Sequence, residues 1–244
     1  IFPILRPMLR ALTPLLVLAT SALCLADAKQ DIKAAAQKLA DAPSYSWTTS
    51  TEMANSQNSP ARITGKSLKG SFALITSERD GNVTTAVVKG EKGVLKTDEG
   101  WKTAEDLRNA GGGGGGGGRG MRGAVLLRTR PPADDVLRMV DKTGELKSAE
   151  GVISGDLTEA GAKELMSWGR GRPGGQAPEP RNAKGSVKFW VKDGQLSKIQ
   201  VTVSGTMSFN GEDRDIERTS THEIKDVGTT EVKVPEEASK ALGS

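Results

Sequence analysis

The chain is poor in the residues that most often carry chemistry. Among 244 residues there is one cysteine, one histidine and one tyrosine, and aromatic side chains make up 4%. A single cysteine cannot form an internal disulfide, so packing and hydrogen bonds must hold the fold. The single histidine, His222, lies in "HEIKD", which lacks the second histidine that a zinc site on a helix needs. A histidine-activated nucleophile has only His222 to use, and no nearby serine is marked as its partner. Charge is evenly matched, 34 basic against 30 acidic residues, too even for a chain that holds nucleic acid through its overall field. The longest apolar stretch, Leu15 to Leu25, follows Pro14 and falls short of the roughly 20 residues of a membrane span.

That stretch belongs to a recognisable leader. In "MLRALTPLLVLATSALCLADA" a basic residue, Arg10, precedes an apolar core and a run of small residues, the pattern of a secretory signal peptide. Residues 1–26 are therefore expected to be removed, with cleavage after Ala26 and Met8 a candidate initiator. Cys24 lies inside this segment. Its use as the lipid anchor of a bacterial lipoprotein is the lesser alternative, because Leu23 stands where a small residue is wanted. Cleavage removes Arg6 and Arg10 and no acid, which leaves the remainder close to neutral.

The rest reads as strands with occasional helices. "AKQDIKAAAQKLADA" places Ile32, Ala35, Ala36 and Leu39 on one helical stripe that stops before Pro43. Alternation then takes over in "SYSWTTSTEM", "ARITGKSL", "SFALITSER", "NVTTAVVKG" and "KGVLKTDEG", an antiparallel meander whose best-marked hairpin is "RDGN" at Arg79 to Asn82. A short polar helix at 103–109 leads to eight glycines, Gly111 to Gly118. "TRPPADDVLRMVDKTGEL" has Pro132 for a first helical turn, Asp134 and Asp135 to complement the helix dipole, and Gly144 to end it. "LKSAEGVISGDL" reads as one strand, and "TEAGAKELMSWG" as a helix capped by Asp156 or Thr158 and closed by Gly169. Loops are expected at 110–123 and 169–185. The last third is a long hairpin, with Val187, Phe189, Val191, Ile199, Val201, Val203, Met207 and Phe209 facing one way, followed by a strand that carries Ile216 and Ile224. About nine strands and three helices, without repeating βαβ units, predict an α+β fold: one curved antiparallel sheet, a half-closed barrel, with helices on one side and a single domain over 27–244.

Chemical motifs are scarce in this frame. A phosphate-binding loop requires a lysine and a hydroxyl residue after its glycines, and here Arg119-Gly120-Met121 follows. Arg170-Gly171-Arg172-Pro173 imitates a minor-groove hook, yet the arginine-glycine tracts lack interleaved aromatics, so they read as solvated loops without nucleic-acid binding. Asp134/Asp135 and Glu236/Glu237 sit at helix starts, where the dipole accounts for them. No catalytic residue, metal or cofactor is indicated. What remains is the apolar face of the sheet. A cavity lined by Tyr45, Trp47, Phe72, Leu74, Phe189, Val191, Ile199, Val201 and Val203 would suit an acyl chain, while a filled core is the equally simple reading.

The order of elements and the closing run "AKGSVKFWVKDGQLSKIQVTVSG…ERTSTHEIKDVGTTEVKVPEEA" resemble the LolA/LppX-like group of bacterial exported proteins, and most of all its large uncharacterised branch. The resemblance implies a half-closed antiparallel barrel capped by helices, whose apolar cavity takes acyl chains of lipids or lipoproteins, and no catalytic residues. It also implies a periplasmic or extracellular location and a lipid or acylated protein as partner. Arg119, Arg122, Arg170 and Arg172 are expected to form a basic fringe for membrane or envelope-protein contact. The rival expectation is an envelope interaction module with a filled core and no ligand.

Overall fold

The computed structural model describes residues 20–54, 62–69, 72–110, 123, 125–167, 179–209 and 211–243. Eleven strands form one sheet. The first six are β1 (Ser44–Met53), β2 (Arg62–Leu68), β3 (Phe72–Arg79), β4 (Asn82–Lys89), β5 (Lys92–Thr97) and β6 (Gly100–Thr103). The rest are β7 (Thr143–Ala149), β8 (Val152–Leu157), β9 (Arg181–Lys192), β10 (Gln195–Phe209) and β11 (Glu212–Lys225). Their order is β6-β5-β4-β3-β2-β1-β11-β10-β9-β8-β7, antiparallel throughout. Every neighbour but one is also a neighbour in sequence. The exception, β1 against β11, pairs Ser46–Met53 with Lys225–Arg218 and so joins the N-terminal meander to the C-terminal strands. Because β6 and β7 remain unpaired edges, the sheet stays open, as expected of a half-closed curved sheet with helices on one side.

Turn chemistry explains this connectivity. Asp80 and Gly81 both have positive φ, 51° and 75°, the backbone that lets a two-residue hairpin follow the right-handed twist of its strands. Asp193 and Gly194 repeat it between β9 and β10. The pair Glu150 and Gly151, at 51° and 78°, does the same inside the segment read from sequence as one strand, and divides it into β7 and β8. That division, together with the four-residue β6, accounts for eleven strands instead of about nine. The expected loop at 169–185 is also shorter at its C-terminal end, because β9 already begins at Arg181 and Ala183 is buried.

Three helices lie on one face of the sheet: α1 (Thr20–Ala40), α3 (Pro132–Met139) and α4 (Glu159–Ser167). Helix α1 buries Ile32, Ala35, Ala36 and Leu39 on the stripe its spacing predicts, and Ala28 with them. It begins at Thr20, well before the stripe. In α3, Pro132 occupies the first turn after Pro131, and Val136 and Met139 point to the sheet. Thr158 caps α4 by accepting a hydrogen bond from the Gly161 amide at 3.1 Å, so of the two expected caps the threonine is used. Two short helices, α2 (Ala104–Ala110) and α5 (Glu236–Ala241), sit at the β6 end.

Candidate apolar binding site

Period-two alternation sends odd and even residues to opposite faces, and the two faces are packed by different partners. On the helix-covered inner face, one core cluster joins Tyr45, Trp47, Phe189, Ile199, Val201 and Val203 to Ile32 and Leu39 of α1 and to Val136 and Met139 of α3. Phe189 is 0% exposed. Trp47 lies flat over Gly65, where any side chain would enter the indole ring, so the glycine is what lets the tryptophan pack against the sheet. Phe72 and Leu74 belong to the outer face. They pack with Val87, Val94, Ala238 and Leu242 under α5. The structure thus brings seven of the nine sequence-predicted cavity residues onto one face and separates the other two by the thickness of the sheet. The separation is legible in register: Ala73 and Ile75 alternate with Phe72 and Leu74, and it is the former pair that enters the inner cluster.

An opening remains beside α1. A groove of about 440 Å³ runs between this helix and the β7–β10 end of the sheet, floored by Ile153 and Val191 and roofed by Ala34 and Ala35. Its lining is short of bulk on both sides, with alanines on α1 and with Gly151 and Gly194 in the turns of the sheet. Asp31 and Lys38 stand at its rim, and Lys38 Nζ donates to the Asp193 carbonyl at 3.4 Å. Of the predicted cavity residues, Val191 alone lines the groove. Asp31, Ala34, Lys38, Ser148 and Gly194 were missed in sequence; the alanine triplet at 34–36 is the one signal for them, since a helix stripe made of alanines packs without filling. A second opening of about 320 Å³ is polar, with Asn182, Lys184, Asp215 and Glu217 around Gly205.

Three titratable groups are perturbed near the inner face. Burial raises the Tyr45 phenol above its ordinary range, against hydrogen bonds with Ser67 and the Ala133 backbone. Asp135, in the first turn of α3, is pushed up to about 7 by burial, with Arg130 opposing. A dipole-complementing carboxylate would move the other way, so at Asp135 desolvation outweighs the helix terminus that explains its exposed neighbour Asp134. Burial pushes His222 down to about 4. Its Nδ1 lies 3.0 Å from Thr49 Oγ1 on the adjacent strand. Among the described residues no three histidine, cysteine, aspartate or glutamate side chains come together as a metal site, and no helix is long and apolar enough to cross a membrane. The expected basic fringe, Arg119, Arg122, Arg170 and Arg172, falls outside the described residues, as do most of the polyglycine loop and of the proline- and glycine-rich loop.

No protein-family model matches the chain, and no curated protein sequence matches it either. Solved structures do. LprF from Mycobacterium bovis is similar over 87% of this chain and 98% of its own, with 11% identity and a TM-score of 0.43. The Mycobacterium tuberculosis lipoprotein LppX is similar over 86% and 99%, with 10% identity and a TM-score of 0.45. A LolA superfamily protein from Nitrosomonas europaea is similar over 84% and 94%, with 12% identity and a TM-score of 0.35. The likeness is one of fold.

Proposed function

We propose that this chain is an exported, non-catalytic protein that buries an acyl chain between α1 and the inner face of the sheet. The observation that carries the reading is the groove: its floor residue Ile153 and roof residue Ala35 belong to the inner core cluster, and its volume is in the roughly 300–1,000 Å³ range of small-molecule sites. About ten buried methylenes supply on the order of 8 kcal/mol, enough for micromolar binding before the costs of association. No catalytic constellation is needed for such binding.

Helix α1 is a suitable cover. Three of its five buried side chains are alanine, and its polar ties to the rest of the fold are Lys29 Nζ donating to the Thr143 carbonyl at 3.0 Å, Lys38 Nζ donating to the Asp193 carbonyl at 3.4 Å and an exposed Lys33–Asp141 ion pair at 2.7 Å. The exposed pair contributes about 0–1 kcal/mol, so the burial of Ile32 and Leu39, more than its charges, is what a displacement of the helix must overcome. The partner is accordingly a lipid or the lipid moiety of an acylated protein, met on the exported side of a bacterial membrane. The four loop arginines would add contact with an anionic surface.

The test is uptake of a fluorescent fatty acid by delipidated protein, with native mass spectrometry of freshly purified material. Ala34 is exposed, so Ala34→Trp fills the groove at little expense to folding. We expect uptake by the parent and at least about tenfold weaker uptake by the variant, the effect of excluding two or more methylenes. Equal uptake by both removes the groove from the proposal. No uptake by either, with no co-purified lipid, leaves the second reading: an envelope interaction module whose inner face is already filled. One observation favours it, the near-complete burial of Tyr45, Trp47, Phe189, Ile199 and Val203.

A further inference from the structure

Polar residues interrupt the inner face at Ser67, Ser77, Thr84 and Ser148, and at its centre along a continuous strip. Strands β1 and β11 are the central pair of eleven, and beyond Trp47 and Ile224 their inward positions turn polar: Thr49 with His222, then Thr51 with Ser220. Cross-strand partners share a face, so the strip is bounded by Ile199 and Val201 of β10 on one side and Ile63 of β2 on the other. Its members are partnered across the strands, Thr49 Oγ1 to His222 Nδ1 at 3.0 Å and Thr51 Oγ1 to Ser220 Oγ at 3.3 Å, while Arg218 donates to the Leu165 carbonyl of α4 at 2.6 Å. Thr51, Ser220 and His222 are half-buried, not sealed. The second ring nitrogen of His222, Nε2, has no protein partner among the described residues and keeps some access to solvent.

We infer that the Thr49–His222 and Thr51–Ser220 strip is the recognition site for an uncharged, hydroxyl- or ester-bearing headgroup on the acyl ligand. The inference rests on the acyl-chain reading above and adds the polar half of the ligand. The imidazole is neutral at physiological pH, so one ring nitrogen donates and the other accepts. Flanking hydroxyls rotate to donate or accept, a combination that suits hydroxyl and ester oxygens, while the cation at the end of the strip, Arg218, is held by the Leu165 carbonyl of α4. Placement agrees with this. His222, Ile199, Phe189 and Ile153 occupy one cross-strand row, and Ile153 floors the groove beside α1, so headgroup site and groove are three inter-strand spacings apart, about 14 Å. Ile199 and Phe189 are packed closed beneath the helices, so a chain along that row requires α1 to lift, and then has its polar end at the strip and its tail in the groove.

Because the chain has a single histidine, imidazole 15N resonances report on this site without assignment. Full-length protein is titrated, below micelle formation, with monolauroylglycerol and with dodecyltrimethylammonium, which has the same order of chain length but no hydrogen-bonding headgroup. Binding of both is read by calorimetry. The expected result is that both bind and only the monoacylglycerol shifts the His222 Nε2 resonance. His222→Phe is then expected to weaken the monoacylglycerol about three- to tenfold, the effect of one lost hydrogen bond, and to leave the ammonium amphiphile within about twofold. Binding of both with an unmoved imidazole overturns the headgroup assignment and leaves the acyl-chain reading standing. Binding of neither overturns both.

Discussion

Gly65 and Trp47 show how one residue decides what another can do. The indole rests where a Cβ of residue 65 would be, on the strand next door, so Gly65→Ala must displace a ring that is 2% exposed. We expect a loss of about 1–3 kcal/mol, typical of overpacking, measured by urea denaturation with Trp fluorescence as the probe; an unchanged midpoint would show that the ring tolerates the methyl. Asp135 and His222 offer a second test, in which the signs oppose. His222 titrates near 4 when folded and 6.5 otherwise, so between those values the unfolded chain takes up a proton that the folded one refuses, and stability rises with pH. Asp135 titrates near 7 when folded and 3.8 otherwise; there the folded chain holds the extra proton, and stability falls as pH rises. Each slope reaches at most about 1.4 kcal/mol per pH unit, and between pH 4 and 6.5 they offset. Asp135→Asn is expected to leave stability rising with pH across that window, and His222→Gln to leave it falling up to pH 7, where the parent is nearly flat. Parallel profiles for all three proteins would refute both assignments.

At the scale of elements, hairpin turns carry most of the fold, and their legibility depended on residue type. "DG" at Asp80–Gly81 and Asp193–Gly194 is readable because aspartate and glycine tolerate positive φ at both central positions. "EG" at Glu150–Gly151 is not readable, since glutamate is uncommon at positive φ, and the segment reads as one strand. The physical reason also yields a prediction: Glu150→Asn, which relieves the left-handed cost without touching the core, should stabilise the β7–β8 hairpin by about 0.5–1 kcal/mol, whereas Gly151→Ala at φ 78° should destabilise it by about 1 kcal/mol. Thermal denaturation of the two variants decides it, and a stabilising Gly151→Ala would contradict the turn assignment. The stripe of α1 was legible for the opposite reason, a sustained spacing of three and four. The groove beside it was not. An alanine stripe reads the same whether it packs against large side chains or against Gly151 and Gly194.

For the whole molecule, the joint between β1 and β11 matters most. It brings together residues more than 170 positions apart, such as Thr49 and His222, and without it the two halves of the sheet have separate inner faces. Stability should be graded outward from this centre. Amide hydrogen exchange is expected to be slowest in β1, β10 and β11 and fastest in the edge strands β6 and β7, by two or more orders of magnitude. Uniform protection across the eleven strands would mean that the edges are held by something beyond the sheet.

Period-two alternation and turn residues were enough, from sequence alone, to set the antiparallel sheet, the face on which most apolar side chains lie, and the stripe by which α1 docks, because each is a local consequence of backbone geometry. Which face Phe72 and Leu74 join, where α1 leaves space, and that His222 meets Thr49 in the middle of the inner face were decided only in the tertiary structure. These depend on register across strands and on which side chains face one another over a gap, and neither is encoded within any short stretch of chain.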